Sequence, residues 1–332
     1  MDFSNWLPFT FLALMALAML IYVVLDGYDL GVGILLRSAP VADRDRMVSS
    51  IGPFWDANET WLVLGIGLLL VAFPMAHGVI LTALYLPVAA MLIGLILRGV
   101  AFDFRVKARA DFKPLWDLAF WGGSLLASAA QGWMLGSWIL GFRSDAAGLA
   151  FAALIGACLC AGYALLGAGW LLMKAEGELK RRAVAWAYRA LWLTGLGIAA
   201  VSLATPFVSP RIFAKWFTPP ALFWLLPVPV ATAAVFLACA NALRRMRRGL
   251  AAPDWLPFAA AVTMFVLAFG GLAYSMFPYL VVDRITYLDA ASAPGSLKFM
   301  LVGAVITLPL IIGYTAFTYR VFWGRARELT YE

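Results

Sequence analysis

Histidine is almost missing from this chain of 332 residues; His77 is the single example, and it reads as part of a short turn. Haem iron is held by axial His, Met or Cys ligands, commonly including a His, so the polypeptide is not equipped to hold haem by itself. The three cysteines give no disulfide framework and no C-x-x-C redox motif. Cys158 and Cys160 fall in the middle of one apolar run and Cys239 in another, where they read as small buried side chains. There is no Cys/His cluster of metal-site spacing and no GxxxxGK[ST] phosphate loop. Gly31-Val32-Gly33 lies inside an apolar run with no preceding strand, which excludes a dinucleotide fingerprint. The 12 methionines are scattered and read as gap-fillers. The expectation is a chain with no catalytic, cofactor-binding or metal-ligating residues of its own.

Charge is also scarce. With 13% charged and 64% hydrophobic residues, the chain is far more apolar than a soluble domain and reads as an integral membrane protein. Spanning helices need runs of about 20 apolar residues. Nine such runs are expected, near 8–36, 52–74, 79–100, 116–139, 148–173, 190–208, 221–243, 257–280 and 298–320. Backbone groups in lipid must be satisfied within each segment, so the fold class is all-α, a polytopic bundle forming one membrane domain over 1–332. No repeat or low-complexity tract divides it. The first run is too long for a secretion signal and lacks a basic leader, so it stays as a helix.

The net charge of +7 is explained by topology. Basic residues gather at 37–46, 98–113, 174–189, 244–248 and 320–327, leaving Arg143, Arg211, Lys215, Arg284 and Lys298 on the other side. The positive-inside rule then puts the amino terminus outside and the carboxyl terminus in the cytoplasm. No basic patch remains to bind nucleic acid. Trp6, Trp116, Trp138, Trp186, Trp216, Trp255, Tyr279 and Trp323 are expected to form interfacial belts. Pro206, Pro227, Pro229, Pro278 and Pro309 read as structural positions within or at the ends of spans. Gly27 and Gly31 form a small-x-x-x-small step, and Gly65 with Gly67 thins the second span, so that helices can approach closely there.

Against this apolar background two acidic clusters stand out. Residues 26–33 read Asp-Gly-Tyr-Asp-Leu-Gly-Val-Gly, and residues 53–61 read Pro-Phe-Trp-Asp-Ala-Asn-Glu-Thr-Trp. A charge in hydrocarbon costs at least a few kcal/mol, so Asp26, Asp29, Asp56 and Glu59 must face a protein interior, a partner or a water-filled path. At about 1.5 Å per residue, Asp29 lies roughly 12 Å and Asp26 roughly 16 Å from Arg37, while Asp56 lies roughly 8 Å and Glu59 roughly 12 Å from Ile51. Each pair shares a helix face at i, i+3 spacing. If the two spans are neighbours, the four acids form one column open to the cytoplasm, able to relay protons. The competing reading is structural: the acids cap helices or pair with Arg98 and Arg105, with Asp103 a further charged neighbour. An ion-coupled transporter would use such acids too, but the inverted repeats and broken helices of that class are not found. A membrane scaffold with incidental charge is the third reading.

The stretches Tyr22-Val-Val-Leu-Asp-Gly-Tyr-Asp-Leu-Gly-Val-Gly-Ile34 and Gly52-Pro-Phe-Trp-Asp-Ala-Asn-Glu-Thr-Trp-Leu-Val-Leu-Gly65 resemble subunit II of the cytochrome bd family of quinol oxidases. So do Leu84-Tyr-Leu-Pro87, Arg98-Gly-Val-Ala-Phe-Asp-Phe-Arg105, Met276-Phe-Pro278 and the run at 287–292; the likeness is nearest to the cyanide-insensitive branch and extends over nearly the whole chain. Ala57 stands where the family usually has Gly, and part of the family has Gln at the position of Glu59. The resemblance implies a haem-bearing subunit I with haems b and d and the quinol site, and usually a small single-helix subunit. It implies oxidation of quinol coupled to reduction of dioxygen to water in a bacterial inner membrane. Asp56, supported by Asp26, Asp29 and Glu59, would deliver cytoplasmic protons, and a structural quinone bound to this subunit is a further implication.

Overall fold

The computed structural model describes residues 6–322, 324 and 325; Trp323 and Arg327 of the expected belts and basic clusters lie outside them. Among the described residues, eight helices are long and apolar enough to cross a membrane. They comprise α1 (Trp6–Leu35), α3 (Trp55–Ala72), α5 (Tyr85–Lys107), α7 (Ala146–Lys174), α8 (Gly177–Val208), the joined pair α10 (Ala221–Leu225) and α11 (Pro227–Arg247), α12 (Leu256–Met276) and α13 (Pro294–Val321). The expected span at 116–139 is α6 (Lys113–Ile139), a 27-residue helix. It is less apolar than the eight, and it buries Asp117, Ser124, Ser128 and Gln131.

Three details differ from expectation. The connection between the first two spans is not a simple loop but carries α2 (Val41–Ile51). The run beginning at 79 is broken at Leu84, where α4 (Pro74–Ala83) ends and α5 starts, and His77 is therefore helical. The connection between α12 and α13 contains a small antiparallel pair, β1 (Tyr279–Val281) with β2 (Ile285–Thr286), in the register Tyr279↔Thr286 and Val281↔Ile285. The loop after it caps α3: Ser292 donates from its backbone N to Ala72 O at 2.8 Å and from Oγ to Val71 O at 2.6 Å. Carbonyls at a helix end have no partner inside the helix, so this loop fixes where α3 stops. A short α9 (Pro210–Phe217) lies between α8 and α10.

Helices α1, α6 and α7 form the centre, with α3 against α1 and α5 against α6. Glycine sets the spacing. A Cβ on Gly31 would lie 1.8 Å from Tyr163 O, and one on Gly167 would lie 2.4 Å from Gly31 C, so α1 and α7 touch backbone to backbone. Gly94 and Gly123 do the same for α5 and α6. Gly65 closes on Met19, but Gly67 has open space beside it and carries no helix contact. Cys239 is buried, whereas Cys158 and Cys160 are half-buried. Trp6 and Trp255 are exposed as belt residues should be; Trp186 is packed in the core instead.

Candidate functional site

The close contact of α1 with α7 turns the Asp26–Asp29 face into the bundle, and both carboxylates have no exposure. The close contact of α5 with α6 brings Arg98 to the same depth, 1% exposed. Arg98 Nη1 donates to Asp26 Oδ1 at 2.6 Å and Arg98 Nη2 donates to Glu59 Oε1 at 2.7 Å. One guanidinium thus ties three helices through two carboxylates. Charge-assisted bonds of this length are among the stronger ones, and removing one member of a buried pair leaves an uncompensated charge at a cost of about 3–5 kcal/mol. Arg98 also lies over the Trp55 ring, 5.9 Å from its centroid. The Glu59 side chain is 26% exposed, so the cluster reaches the protein surface on that side.

Asp29, one turn away, meets different chemistry. Its Oδ2 accepts from Asn58 Nδ2 at 2.8 Å, and its Oδ1 is buried without a partner. Asn58 Nδ2 also donates to Tyr28 OH at 2.8 Å and to Leu25 O at 3.3 Å. The Tyr28 and Tyr319 hydroxyls are 2.6 Å apart, and Tyr319 OH donates to Asn58 Oδ1 at 3.2 Å. The Tyr28 ring stacks on Trp170 with centroids 4.2 Å apart, and Phe54 packs on both Trp170 and Tyr319. Asn58 therefore joins α1, α3 and α13 in a pocket walled by aromatics. A third polar contact lies one turn before Asp26: Gln131 Nε2 donates to Tyr22 OH and Tyr163 OH donates to Gln131 Oε1, each at 2.7 Å.

The four expected acids stand in different surroundings. Asp26 and Glu59 come together through Arg98, Asp29 sits in the neighbouring amide pocket, and Asp56 is exposed in the first turn of α3. Asp29 lies well inside α1 rather than at a terminus, so it is no cap. Of the expected charge partners Arg98 pairs as anticipated. Asp103 is exposed. Arg105 belongs to another network, with Nε on Asp117 Oδ1 at 2.5 Å and Nη1 on Asp45 Oδ1 at 2.6 Å. Arg44 adds a 2.8 Å contact to Asp117 and Lys113 a 3.3 Å contact to Asp45. Burial pushes the Asp45 carboxyl up, but the Arg105 hydrogen bond and charge, with Lys113, hold it below its ordinary range. Between Arg98 and Arg105 on α5 lies Phe102, packed against Trp55 and Phe120, so an aromatic layer separates the two ion networks.

Sequence reasoning passed over Asn58, Gln131, Asp117 and Asp45. Asn58 stands inside the acidic motif and drew no attention because it carries no charge. Gln131 and Asp117 were accessible to the rule that exposed the acids, since polar groups within spans must find partners.

The family model described as cytochrome bd terminal oxidase subunit II matches residues 7–322. Cytochrome bd ubiquinol oxidase subunit 2 of Bacillus subtilis (strain 168) is 27% identical over 326 residues, covering 92% of each chain. Cytochrome bd-I ubiquinol oxidase subunit 2 of Escherichia coli (strain K12) is 27% identical over 362 residues, covering 96% of this chain and 95% of that one. A chain in the structure of bd oxidase from Geobacillus thermodenitrificans has a similar fold, with a TM-score of 0.68 at 9% identity over 96% of this chain and 98% of that chain.

Proposed function

The chain belongs to the cytochrome bd terminal oxidase subunit II family, and from that premise we propose that it is the haem-free subunit that delivers protons from the cytoplasm to a haem-bearing neighbour. It is a membrane protein and a subunit of a bd-type quinol oxidase, which implies subunit I as its partner. In this reading subunit I holds haems b and d and oxidises quinol while reducing dioxygen to water. The amino terminus lies outside and the carboxyl terminus in the cytoplasm of a bacterial inner membrane. A small single-helix subunit and a structural quinone belong to the same reading.

The observation that carries the proposal is the sharing of Arg98 between a fully buried Asp26 and a partly exposed Glu59. A carboxylate with one oxygen on a guanidinium and an edge toward the surface can take up a proton and release it, because Arg98 keeps Asp26 as a second partner. Asp56, exposed one turn before Glu59 on α3, lies beside that edge. In a membrane an exposed acid requires a protein or aqueous neighbour, which supports reading this edge as the side that meets water or subunit I. Protons would pass by way of Asp56 to Glu59, with Asp26 and Asp29 behind them. Arg105 serves the fold by fixing α2 against α5 and α6.

The test is quinol-driven oxygen consumption by the purified complex carrying Glu59→Gln or Asp56→Asn. Both variants are expected to turn over slowly with a normal haem spectrum. Unchanged turnover across pH in both would end the proton-path reading.

A further inference from the structure

We propose that Asp29 is a neutral carboxylic acid in the folded chain, holding a proton inside the membrane-spanning bundle. The case rests on counting donors. Asn58 has two amide hydrogens. One goes to Tyr28 OH at 2.8 Å; the other is divided between Leu25 O at 3.3 Å and Asp29 Oδ2 at 2.8 Å. Tyr319 spends its hydroxyl hydrogen on Asn58 Oδ1, so the hydrogen between the two phenols is that of Tyr28. Asn58, Tyr28 and Tyr319 thus form a closed ring in which every hydroxyl hydrogen is already used. Asp29 is left with part of one N–H and no cation.

A carboxylate anion with no exposure and such thin support is costly, whereas a neutral acid is much less so. The neutral form also completes the pattern. Its C=O takes the Asn58 hydrogen, and its O–H, on the otherwise unpartnered Oδ1, would need an acceptor; the Leu25 carbonyl, one turn back, shares the Asn58 amide with Asp29. Buried hydroxyls elsewhere in the chain use that acceptor position: Ser124 Oγ donates to Phe120 O and Ser128 Oγ to Ser124 O, each at 2.7 Å. Two cations stand near the pocket: Arg98, and Lys174, whose Nζ lies 5.1 and 4.9 Å from the Phe54 and Trp170 ring centroids and donates to Phe322 O at 2.8 Å and Gly324 O at 2.9 Å. Facing the pocket are Asp26 and Tyr28 from α1, Asn58 and Glu59 from α3, Arg98 from α5, Tyr163 and Lys174 from α7 and Tyr319 from α13. Arg98 is bonded to both Asp26 and Glu59. Three acids around one guanidinium leave an excess of negative charge that a proton on Asp29 reduces.

The assignment does not depend on the proton-path reading. Infrared spectra of the intact complex in H2O and D2O test it, because only a protonated carboxyl gives a C=O stretch, well separated from carboxylate bands, that shifts on deuteration. The band assigned here is expected to vanish in Asp29→Asn and to persist in Glu59→Gln. A spectrum unaltered by Asp29→Asn would overturn the assignment. Assembly provides a second measurement: Asn has the shape and charge of the neutral acid, so Asp29→Asn is expected to assemble with full haem content and an undiminished Tm. Loss of assembly would show an ionised Asp29 held by a counter-charge and would likewise overturn it. Turnover of the same variant reports on the relay and leaves the assignment untouched.

Discussion

Asp26 and Asp29 are three residues apart on one face of α1, equally buried, and live in opposite electrostatic worlds. Asp26 meets a guanidinium that it shares with Glu59. Asp29 meets an amide already committed to a tyrosine. The first pocket is built from charge and reaches the protein surface through Glu59. The second is built from neutral dipoles and aromatic walls. A helix can therefore present one acid to an ionic pocket and the next to a neutral one, and the difference is made by the helices opposite: α5 supplies Arg98 at one position, while α3 and α13 supply Asn58 and Tyr319 at the other.

The contrast is broken most severely by Arg98→Met. With Asp26 and Glu59 left unpaired, a loss of about 3–5 kcal/mol is expected, read as failure to assemble or a steep fall in Tm of the complex; a stable, haem-replete variant would show that the ionic pocket is not needed for the fold. Gly31→Ala comes next. Its methyl would lie 1.8 Å from Tyr163 O, forcing α1 from α7 at a cost of about 1–3 kcal/mol. Because Trp170 is on α7, the Tyr28–Trp170 stack should suffer more than the Arg98 bridge, and tryptophan fluorescence together with thermal melts would separate the two. Tyr319→Phe opens the neutral ring at about 0.5–1.5 kcal/mol, the worth of a typical hydrogen bond, with the ionic pocket and its activity intact.

The smallest effect belongs to Asp45, the exposed member of the Arg105 network. The Asp45 carboxyl is held below its ordinary range by Arg105 and Lys113, so the stabilisation it gives is present above the unfolded value of about 3.9 and is lost as pH falls through the lower folded value. Its side chain is half exposed, which keeps the contribution small. Asp45→Asn should flatten the acid limb of a stability-against-pH curve while leaving neutral turnover alone; an unchanged acid limb would remove α2 docking from that pair.

Much of the fold was legible because bilayer thickness and backbone satisfaction leave few choices: apolar runs of sufficient length are helices, and helix α6 keeps its polar groups inside the bundle. The acids were legible as anomalies for the same reason. Their partners were not, since a helical face specifies which residues share a direction and says nothing of what stands opposite. Asp56 and Glu59 share a face by spacing, yet Glu59 reaches Arg98 while Asp56 stays exposed. Asn58, one residue before Glu59, proved to be the link among three helices although it bears no charge to betray it.

Sequence alone determined that this is a bundle of membrane-length helices with acids set within the first two spans, because the cost of exposing backbone or charge to hydrocarbon exceeds anything local packing can offset. Tertiary structure decided which acid received the guanidinium. That choice depends on backbone approach at Gly31, Gly94, Gly123 and Gly167, contacts between segments far apart in the chain, and on the few ångströms over which a charge in a low-dielectric interior can find its partner.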